Sequence, residues 1–328
     1  MRLGIPISED LTDELTEFWD CIFGQNPDVT RGVFLGDEVR DNHNLLYVDR
    51  RNGKIAGTCL LTTSQSVSGL ACFGEVATDP IYRRSGIATE LVSRAVSDFK
   101  EKGGGAIFLG TSNSNAARIY YRHGWRYLSG SGTMANITNG DSPEEYLVNY
   151  FHEVGTTTVR TGSAIERVPM IPLIHTPHDW QVLDSNASQH IYSTRYAKQV
   201  SCNGLYPRYE TVRSNGRGNW FAANTNDGRV VGLATTRLTN DNSSRVDGFT
   251  HKRHIDAWPK LIQTAARWGI NHGNKSVHAL LSVEDEEKQA AFEAMGFKLG
   301  TSGKPFTMGE REVSSVRMDL KNDEIDPS

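Results

Sequence analysis

The sequence predicts an α/β (α+β) fold of two tandem domains, each a mixed, mostly antiparallel twisted sheet flanked by helices. Three observations support this prediction. The chain has 328 residues, too many for one core and enough for two domains. Residues 74–125 follow the order strand, turn, helix, strand, helix. A fainter version of the same order recurs about 170 residues later, which indicates a duplicated domain.

Composition excludes several classes of protein. Hydrophobic residues make up 38% of the chain and charged residues 23%, a balance typical of globular domains. The formal net charge of -4 gives no general attraction to nucleic acid or to anionic membranes. The sequence has no apolar run of membrane-spanning length, and its first residues do not resemble a signal peptide. We therefore expect a cytoplasmic protein with no membrane or nucleic-acid partner, whose scattered cysteines are thiols: Cys21, Cys59, Cys72 and Cys202.

The first 80 residues predict a helix followed by three strands. Residues 8–23 begin with a capping serine and carry apolar residues at helical spacing. Residues 25–42 are loop-rich. An Asn52-Gly53 turn joins strands at 45–50 and 55–63, as in a β-hairpin. Residues 70–78 form the next strand.

The turn after that strand predicts an anion-binding site. Val76 to Thr78 is followed by Asp79-Pro80 and then by Arg83-Arg84-Ser85-Gly86-Ile87-Ala88. From Ile87 the pattern is helical, with apolar residues at four-residue intervals. A glycine allows close approach of a ligand, and the N–H groups of the first helical turn face it. Together with two arginines, this arrangement suits a phosphate.

The next segment predicts a second strand and a short helix. Gly103-Gly104-Gly105 ends the long helix, and residues 106–109 have the composition of a strand. Residues 113–123 then read as a helix that closes on Gly124-Trp125.

These two stretches resemble the GNAT N-acetyltransferase superfamily. Arg83-x-x-Gly86-x-Ala88 is similar to its acyl-CoA pyrophosphate loop. Asn113-x-x-Ala116-x-x-Ile119-Tyr120-x-x-x-Gly124-Trp125 is similar to its later motif, which usually has Phe in place of Trp125. The resemblance covers roughly residues 1–140 and implies acetyl-CoA as the acyl donor. It also implies that the loop-rich residues 25–42 shape the acceptor pocket. It implies that the donor is bound by Val76, Ala77, Thr78, Arg83, Arg84, Ser85, Gly86, Ile87, Ala88, Thr89, Asn113, Ala116 and Tyr120.

Glu75 is the candidate general base. An ammonium must lose a proton before it can attack a thioester, and a strand carboxylate beside the cleft can accept that proton. We expect Glu75 to share a face with Ala77, two residues along the strand. The alternative is a carboxylate that faces solvent or pairs with an arginine. Asp79 is the weaker substitute.

Tyr120 is the candidate acid, because the resemblance places a tyrosine there to protonate the departing CoA thiolate. Its alternative is a packing role, and neighbouring Tyr121 points about 100° away on a helix. Asn113 contacts the donor or caps the helix. The backbone of Val76 to Thr78 is expected to pair with the acyl and pantetheine amides like an added strand.

The predicted division is a catalytic domain at 1–142, a linker helix at 143–158 and a degenerate GNAT-like domain at 159–328. In the second half the pattern predicts helical stretches at 179–197 and a hairpin at 220–238 around Asn226-Asp227-Gly228. It then predicts a strand at 245–249, a helix at 254–270, a strand at 277–283 and a helix at 284–294.

The second half has lost the residues of the predicted site. Its turn reads Arg253 to Trp258, where Asp256 replaces the glycine and Trp258 replaces a small residue. Phe292 stands for Tyr120, and Arg245 is expected in the place of Glu75. We therefore expect this half to be structural or to wall the acceptor site.

The overall prediction is an enzyme that transfers acetyl from acetyl-CoA to a primary amine of a small molecule or peptide. The alternatives are the use or decarboxylation of another acyl-CoA, or a non-catalytic acyl-CoA-binding module. Known tandem members include a thiol-cofactor synthase. If this chain were such a synthase, its second half should be the catalytically competent one. His175 and His178, and His251 and His254, lack further ligands at metal-site spacing, so no metal is expected. A monomer and a homodimer both stay open.

Overall fold

The computed structural model describes residues 1–24, 28–187, 191–192, 201–308 and 311–321. The chain packs into two compact units that are not continuous in sequence. Unit 1 comprises Met1–Val148, Arg167–Ile171 and the described part of Gln199–Leu205. Unit 2 comprises Asn149–Glu166, the described residues of Pro172–Lys198, and those from Tyr206 onward.

Unit 1 is built on a seven-stranded sheet. Its strands are β1 (Arg2–Gly4), β2 (Asn42–Arg51), β3 (Lys54–Ser64), β4 (Leu70–Thr78), β5 (Ala106–Gly110), β6 (Arg126–Tyr127) and β7 (Thr133–Ile137). The helices of this part of the chain are α1 (Glu9–Phe23), α2 (Arg31–Leu35), α3 (Ile87–Glu101), α4 (Ser114–Arg122) and α5 (Pro143–Tyr150).

The sheet has the order β1-β2-β3-β4-β5-β7-β6, in which β4 and β5 are parallel and the other neighbours antiparallel. One face packs on the apolar stripes of α3 and α4, including Leu91, Phe99 and Tyr120. The other face packs on α1 and α2 through Leu15 and Phe34. The sheet is therefore the middle layer of three. Successive residues of β2 and β3 point to opposite faces, and both faces carry apolar residues that need to be covered by helices.

Local sequence signals account for most boundaries in unit 1. Asn52 and Gly53 both have positive φ, which the tight turn between β2 and β3 requires. Ser8 caps α1 by accepting a hydrogen bond from the N–H of Leu11. The predicted strands and helices of residues 8–123 are thus confirmed. The exception is α2, a five-residue helix within the segment predicted to be loop, and too short for a periodic pattern.

Unit 2 is built on a second seven-stranded sheet. The strands from Thr157 onward are β8 (Thr157–Thr161), β9 (Val182–Asp184), β10 (Ile191–Tyr192), β11 (Gly218–Thr225), β12 (Val230–Leu238), β13 (Ser243–Thr250), β14 (Ser276–Ser282), β15 (Lys298–Ser302), β16 (Phe306–Met308), β17 (Arg311–Val313) and β18 (Ser315–Lys321). The helices are α6 (Met170–His175), α7 (Leu205–Arg213), α8 (Trp258–Asn271) and α9 (Glu286–Glu293).

The second sheet repeats the topology of the first. Its order, read from the other edge, is β8-β11-β12-β13-β14-β18-β15, with β13 and β14 as the parallel pair. In each unit a long helix connects the two parallel strands, α3 in unit 1 and α8 in unit 2. A shorter helix, α4 or α9, then follows the second parallel strand. The predicted duplication is therefore confirmed: the chain carries two folds of the same α/β class.

The helical prediction for residues 179–197 is wrong where the structure describes them. Helical stretches were expected across 179–197, but residues 182–184 form strand β9, which pairs with β10. The rest of that prediction, at 188–190 and 193–200, lies outside the described residues. The apolar residues there have a spacing compatible with either structure, and burial of the strand decided between them.

The compact units differ from the predicted division at 142 and 159. Residues 143–148 pack with unit 1, and Arg167–Ile171 returns to unit 1 from a later part of the chain. The described residues 201–205 return in the same way. The linker helix predicted at 143–158 is shorter in the structure, since α5 ends at Tyr150 and strand β8 begins at Thr157. Helix α5 begins in unit 1 and ends in unit 2, so the domain boundaries at the level of folding stay a prediction.

Candidate functional site

A cleft of about 1090 Å³ opens in unit 1 where β4 and β5 separate. Their parallel ladder covers three pairs, from Leu70 with Ala106 to Cys72 with Phe108. Beyond it, residues 73–78 of β4 form one wall and residues 109–113 form the opposite wall. The cleft therefore begins where the two strands stop sharing hydrogen bonds, and the start of α3 closes one end.

The predicted anion-binding turn lies at that end of the cleft. Gly86 immediately precedes α3 and has a φ of +92°. Residues with a Cβ rarely adopt this backbone conformation. A Cβ on Gly86 would meet no atom within 4 Å, so the space in front of the helix is open. The side chains of Arg83 and Arg84 are exposed beside it. The positive end of α3 and two guanidinium groups thus face one open space.

The cleft brings together nearly all of the predicted donor-binding residues. Its lining includes Val76, Ala77, Thr78, Arg83, Arg84, Gly86, Ile87, Ala88, Thr89, Asn113, Ala116 and Tyr120. Ser85 is not part of that lining; its hydroxyl donates to the carbonyl of Tyr82 at 2.5 Å. Asp79, the substitute for the base, has a local hydrogen bond, since its carboxylate accepts from the N–H of Ile81 at 2.8 Å. The roles of the lining residues and of Ser85 in donor binding stay predictions.

Glu75 lies in the wall of the cleft on an irregular part of β4. Its φ is +50°, and the register of β3 with β4 shifts at this point. Glu75 and Ala77 were expected to share a face because side chains alternate along a regular strand. The bulge at Glu75 interrupts that alternation. The bulge is held by a hydrogen-bond chain: Trp19 Nε1 donates to Thr58 Oγ1 at 2.9 Å, and Thr58 Oγ1 donates to the carbonyl of Glu75 at 2.8 Å.

The environment of Glu75 tunes its carboxyl group. The residue is 9% exposed, and burial together with the negative charge of Asp28 raises its pKa to about 7. A hydrogen bond from Asn203 and the charge of Arg167 oppose this increase. A carboxyl group with a pKa near neutrality can both accept and release a proton, as a general base must.

Tyr120 reaches the cleft from α4. Its side chain is 5% exposed and packs against Phe73 and Trp125, with ring centroids 6.3 and 5.7 Å apart. Burial raises the pKa of its phenol, so the hydroxyl keeps its proton at neutral pH. Tyr121 is 56% exposed and carries the guanidinium of Arg126 over its ring at 4.1 Å. The two tyrosines therefore have different surroundings, as the helical spacing predicts.

Asn113 adopts the capping role that was the alternative reading. Its side-chain oxygen accepts from the N–H groups of Asn115 and Ala116 at 2.9 and 3.3 Å. It lies in the cleft lining as well, so the cap fixes the start of α4 at the edge of the site.

Sequence reasoning identified only part of the cleft lining around Glu75. Residues 22, 23 and 28 line this part, as do residues 201–203, which lie more than 120 positions after Glu75 in the chain. Asp28 lies in the loop-rich stretch that the resemblance associates with an acceptor pocket, whereas nothing local marks Asn203. The expectation that the second half might wall the site named no residue, and residues 201–203 pack within unit 1.

The corresponding position in unit 2 is filled by aromatic rings. Helices α3 and α8 superimpose in pattern, since buried Leu91, Val92 and Ala95 correspond to Leu261, Ile262 and Ala265. This register places Trp258 at Ala88. Trp258 is 3% exposed, and its ring lies 5.1 Å from that of Phe292, the residue that corresponds to Tyr120. Where unit 1 has open space, unit 2 has an aromatic contact.

Lys288 and strand β9 fill the rest of the place in unit 2 that corresponds to the cleft of unit 1. In each unit the N–H of the aromatic residue after the closing glycine donates to a residue five positions earlier, Trp125 to Tyr120 and Phe297 to Phe292. This register places Lys288 at Ala116. The Lys288 ammonium donates to the carbonyls of Val182 and Leu183 in β9, at 2.8 and 3.1 Å.

Asp285 completes this arrangement. It corresponds to Asn113, but instead of capping α9 its carboxylate accepts from the N–H groups of Gln181 and Val182. Residues 181–183 therefore occupy in unit 2 the place that the open cleft has in unit 1.

The expectation that Arg245 replaces Glu75 is wrong. Arg245 is the third residue of the parallel ladder, opposite His278, so it corresponds to Cys72. Three positions before the end of β13, as Glu75 is before the end of β4, lies Asp247. The bulge in β4 shifts the count along the strand, and the linear sequence does not show it. Asp247 is fully buried and paired with Lys288 at 2.6 Å.

Two absences among the described residues bear on other functions. Among residues 1–24, 28–187, 191–192, 201–308 and 311–321, no group of three or more His, Cys, Asp or Glu side chains could hold a metal ion. Within the same residues, none of the helices has the length and apolar character needed to cross a bilayer.

Comparison with known proteins gives one family match. The model of the Acetyltransferase (GNAT) family matches residues 9–125, which include the anion-binding turn, Glu75 and Tyr120. No curated protein sequence matches the chain.

Solved structures with a similar fold share 13–17% identity in the three examples that follow. A spermidine N-acetyltransferase from Vibrio cholerae, in complex with CoA and spermine, is 14% identical over 52% of this chain and 97% of its own, with a TM-score of 0.40. Ribosomal-protein-S5-alanine acetyltransferase from Vibrio fischeri is 13% identical over 53% and 98%, with a TM-score of 0.41. A phosphinothricin acetyltransferase from Sinorhizobium meliloti, in complex with AcCoA, is 17% identical over 51% and 89%, with a TM-score of 0.39.

The family match covers the predicted anion-binding turn, the buried carboxyl group of Glu75 and the cleft lining other than residues 201–203. Residues 9–125 of this chain thus match the Acetyltransferase (GNAT) family.

Proposed function

We propose that unit 1 transfers an acetyl group from acetyl-CoA directly to a primary amine. One observation carries this proposal: a single cleft is lined both by the anion-binding turn at Arg83–Thr89 and by the buried carboxyl group of Glu75. The first feature suits the pyrophosphate of a CoA ester, and the second suits deprotonation of an ammonium. The two features are independent of each other, so their occurrence in one cleft supports the proposal.

The donor would bind along the wall formed by β4. Its pyrophosphate accepts hydrogen bonds from the first N–H groups of α3, with Arg83 and Arg84 beside it. The amides of the pantetheine arm pair with the backbone of Val76 to Thr78, on the side of β4 that faces the cleft. This arrangement directs the thioester towards Glu75 and Tyr120.

The chemistry then needs several proton transfers. Glu75 takes a proton from the acceptor ammonium, directly or through water, and the neutral nitrogen attacks the thioester carbonyl. The tetrahedral intermediate collapses with cleavage of the C–S bond, and Tyr120 donates its proton to the departing sulfur. Since the phenol is buried and its pKa raised, it is protonated when that step occurs. The attacking nitrogen, which is positively charged after the attack, loses its second proton to solvent, and the Tyr120 phenolate regains a proton from solvent. The remaining rate enhancement comes from positioning of the two substrates.

The acceptor is proposed only as a primary amine of a small molecule or peptide. Two carboxylates, Asp28 and Glu75, lie at the acceptor end, where they attract a cation. Use of another acyl-CoA, or its decarboxylation, stays an alternative, as does a binding module without turnover. We further propose that the protein works as a monomer or homodimer in the cytoplasm, since its four cysteines are thiols.

The test of activity is a screen of amines with acetyl-CoA, followed by release of free CoA. We expect Tyr120→Phe to keep the affinity for acetyl-CoA and to lower turnover at least several-fold, because only the departing thiolate uses the hydroxyl. Tyr121→Phe is the matched control on the exposed side of the same helix and should behave like the natural protein. Loss of stability in Tyr120→Phe with unchanged turnover per folded molecule would show that Tyr120 only packs. Release of CO2 from an acyl-CoA that carries a carboxyl group, or no release of CoA from acetyl-CoA with any amine, would favour the alternatives.

A further inference from the structure

We propose that Asn203 is a positioning residue that holds the Glu75 carboxylate towards the acceptor, so that a segment far along the chain completes the catalytic site of unit 1. The proposal rests on the proposed function for the role of Glu75. It adds a residue outside the stretch at 9–125 that the family model matches.

The amide of Asn203 is oriented by its contacts with β4. The side chain is 5% exposed. Its oxygen accepts a hydrogen bond from the thiol of Cys72 at 2.8 Å. Its nitrogen lies against Gly74, the residue next to Glu75, and Asn203 and Glu75 line the same cleft. The amide nitrogen is thus placed to donate to the Glu75 carboxylate, and the amide lowers the pKa of that group.

Gly74 makes this approach possible. A Cβ built on Gly74 would overlap with the amide nitrogen of Asn203. Any side chain at position 74 would therefore push the asparagine away from the strand. A glycine next to the candidate base has a specific purpose here, which is close approach of another side chain rather than a positive φ.

The segment that carries Asn203 is anchored by polar contacts on both sides. Its carbonyl accepts from Arg167 Nη1 at 3.4 Å. Arg167 in turn forms a two-point ion pair with Glu38, with distances of 2.7 and 2.6 Å. Both side chains are less than 10% exposed. On the other side, Ser201 donates to the carboxylate of Asp28. These contacts fix Asn203 without using its amide group.

The charged and titratable groups around Glu75 come from several elements. Asp28 lies on the segment before α2 and raises the pKa of Glu75, whereas Arg167 lowers it. Glu38 neutralises part of the effect of Arg167 through their ion pair. The thiols of Cys72 and Cys202 are buried nearby, and burial holds the pKa of Cys72 well above its usual value. Of these neighbours, Asn203 stabilises the carboxylate without a charge of its own.

The experiment follows the carboxyl group of Glu75 directly in the full chain. Infrared difference spectra with 13C-labelled glutamate, taken between natural protein and Glu75→Gln, isolate this carboxyl group and its pH titration. We expect its midpoint near pH 7. In Asn203→Ala it should rise by about one pH unit, since a hydrogen bond to the charged form is lost. Asn203→Asp, which keeps the size and adds a negative charge, should raise it further.

Two further variants act on the same contact. Gly74→Ala should raise the midpoint in the same direction, because it displaces the asparagine. Asn139→Ala, which changes an exposed asparagine of unit 1 that bonds Asp141, should leave it unchanged. With any amine found in the screen, the acid limb of the profile of kcat/KM against pH should move with the midpoint.

The outcomes separate the two proposals. An unchanged midpoint in Asn203→Ala and Asn203→Asp, whatever their stability, overturns the positioning role. An upward shift of midpoint and acid limb together supports it. If the midpoint shifts but no amine releases CoA, the contact is real and the proposed function fails instead.

Discussion

At the scale of single residues, Glu75 combines features that each cost folding free energy. Its backbone has a positive φ, which a residue with a Cβ adopts at a cost of about 1 kcal/mol or more. Its carboxyl group is buried and has a pKa of about 7 in place of 4.5. The contacts from Thr58 and Asn203 keep it there. Costs of this kind at one residue are typical of a functional position rather than of a packing one.

Glu75→Gln should therefore be more stable than the natural protein at high pH. A carboxyl group whose pKa is raised on folding favours the folded state below about pH 4.5 and loses that contribution as pH rises through about 7. Removing the group should raise the free energy of unfolding at pH 8 by up to about 3 kcal/mol relative to pH 4. Urea unfolding at both values measures this difference.

The same variant should have little turnover in the assay of CoA release. If the difference in free energy of unfolding between Glu75→Gln and the natural protein is the same at pH 4 and pH 8, the pKa of the Glu75 carboxyl group is not raised on folding.

At the scale of elements, the space beside the two parallel strands is open in unit 1 and filled in unit 2. In unit 1 the strands β4 and β5 separate, and the gap is lined by small residues such as Gly86, Ala88 and Ala116. In unit 2 the positions of the two alanines carry Trp258 and Lys288, which contact Phe292 and β9. A closed gap has no room for a pantetheine arm, so the difference in side-chain size predicts a difference in ligand binding.

We expect one acyl-CoA to bind per chain. Gly86→Asp should abolish binding of acetyl-CoA in calorimetry, because it adds a carboxylate and a Cβ in front of α3. Gly86→Ala adds the Cβ alone and should weaken binding less. Asp256→Gly makes the reverse change in unit 2 and should leave the stoichiometry at one, since Trp258 and β9 still fill the position. Two equivalent sites, or binding that survives Gly86→Asp, would contradict this prediction.

The buried ion pair of unit 2 should be essential to its stability. Lys288 and Asp247 are 1% and 0% exposed. Burial and the negative charge of Asp247 raise the pKa of neighbouring Asp184 to about 7. Lys288→Met would leave buried carboxylates without a cation, at a cost of about 3–5 kcal/mol in the free energy of unfolding. Lys260→Met, at an exposed lysine of α8, should cost less than about 0.5 kcal/mol.

Adding Asp247→Leu to Lys288→Met should recover much of the loss, because it removes an unpaired charge. Denaturant unfolding of the single and double variants measures the coupling. If the double variant is as unstable as the sum of both single variants, the two side chains do not act as a pair.

At the scale of the whole molecule, unit 1 depends on residues that come after the start of unit 2. Arg167 lies between two stretches of unit 2 and forms its buried ion pair with Glu38, 129 residues earlier. Asn203 reaches Cys72 across 131 residues. Cutting the chain after the matched family domain would therefore remove part of the core and of the site, not only an appendage.

The fragment Met1–Val148 should melt well below unit 1 in the full chain and lose acceptor turnover. Without Arg167, the carboxylate of Glu38 is buried and unpaired, which costs about 3–5 kcal/mol. Thermal unfolding of the fragment and of the full chain measures the loss. Glu38→Gln in the fragment should restore part of the stability but not turnover, because Asn203 is still missing. A fragment with full activity and the melting temperature of the full chain would show that the later segments are dispensable.

The sequence by itself determined the local structure and the anion-binding turn. Apolar spacing of four residues defines α3, a paired Asn52-Gly53 defines the hairpin, and Gly86 before a helix defines the turn, since each signal lies within a few neighbouring residues. The motifs around Gly86 and Tyr120 were sufficient for the resemblance that the match to residues 9–125 confirms. The order of elements in the second half likewise predicted the duplicated topology.

Only the tertiary structure decided the bulge at Glu75, the shift of its pKa and the residues that surround it. Burial and charge depend on which distant segments pack together, and contacts across about 130 residues have no local signature. The same holds for unit 2, where the loss of an open cleft depends on β9 lying against Lys288. Side-chain identity is a local property, whereas the space and the electrostatic field around a side chain belong to the folded chain.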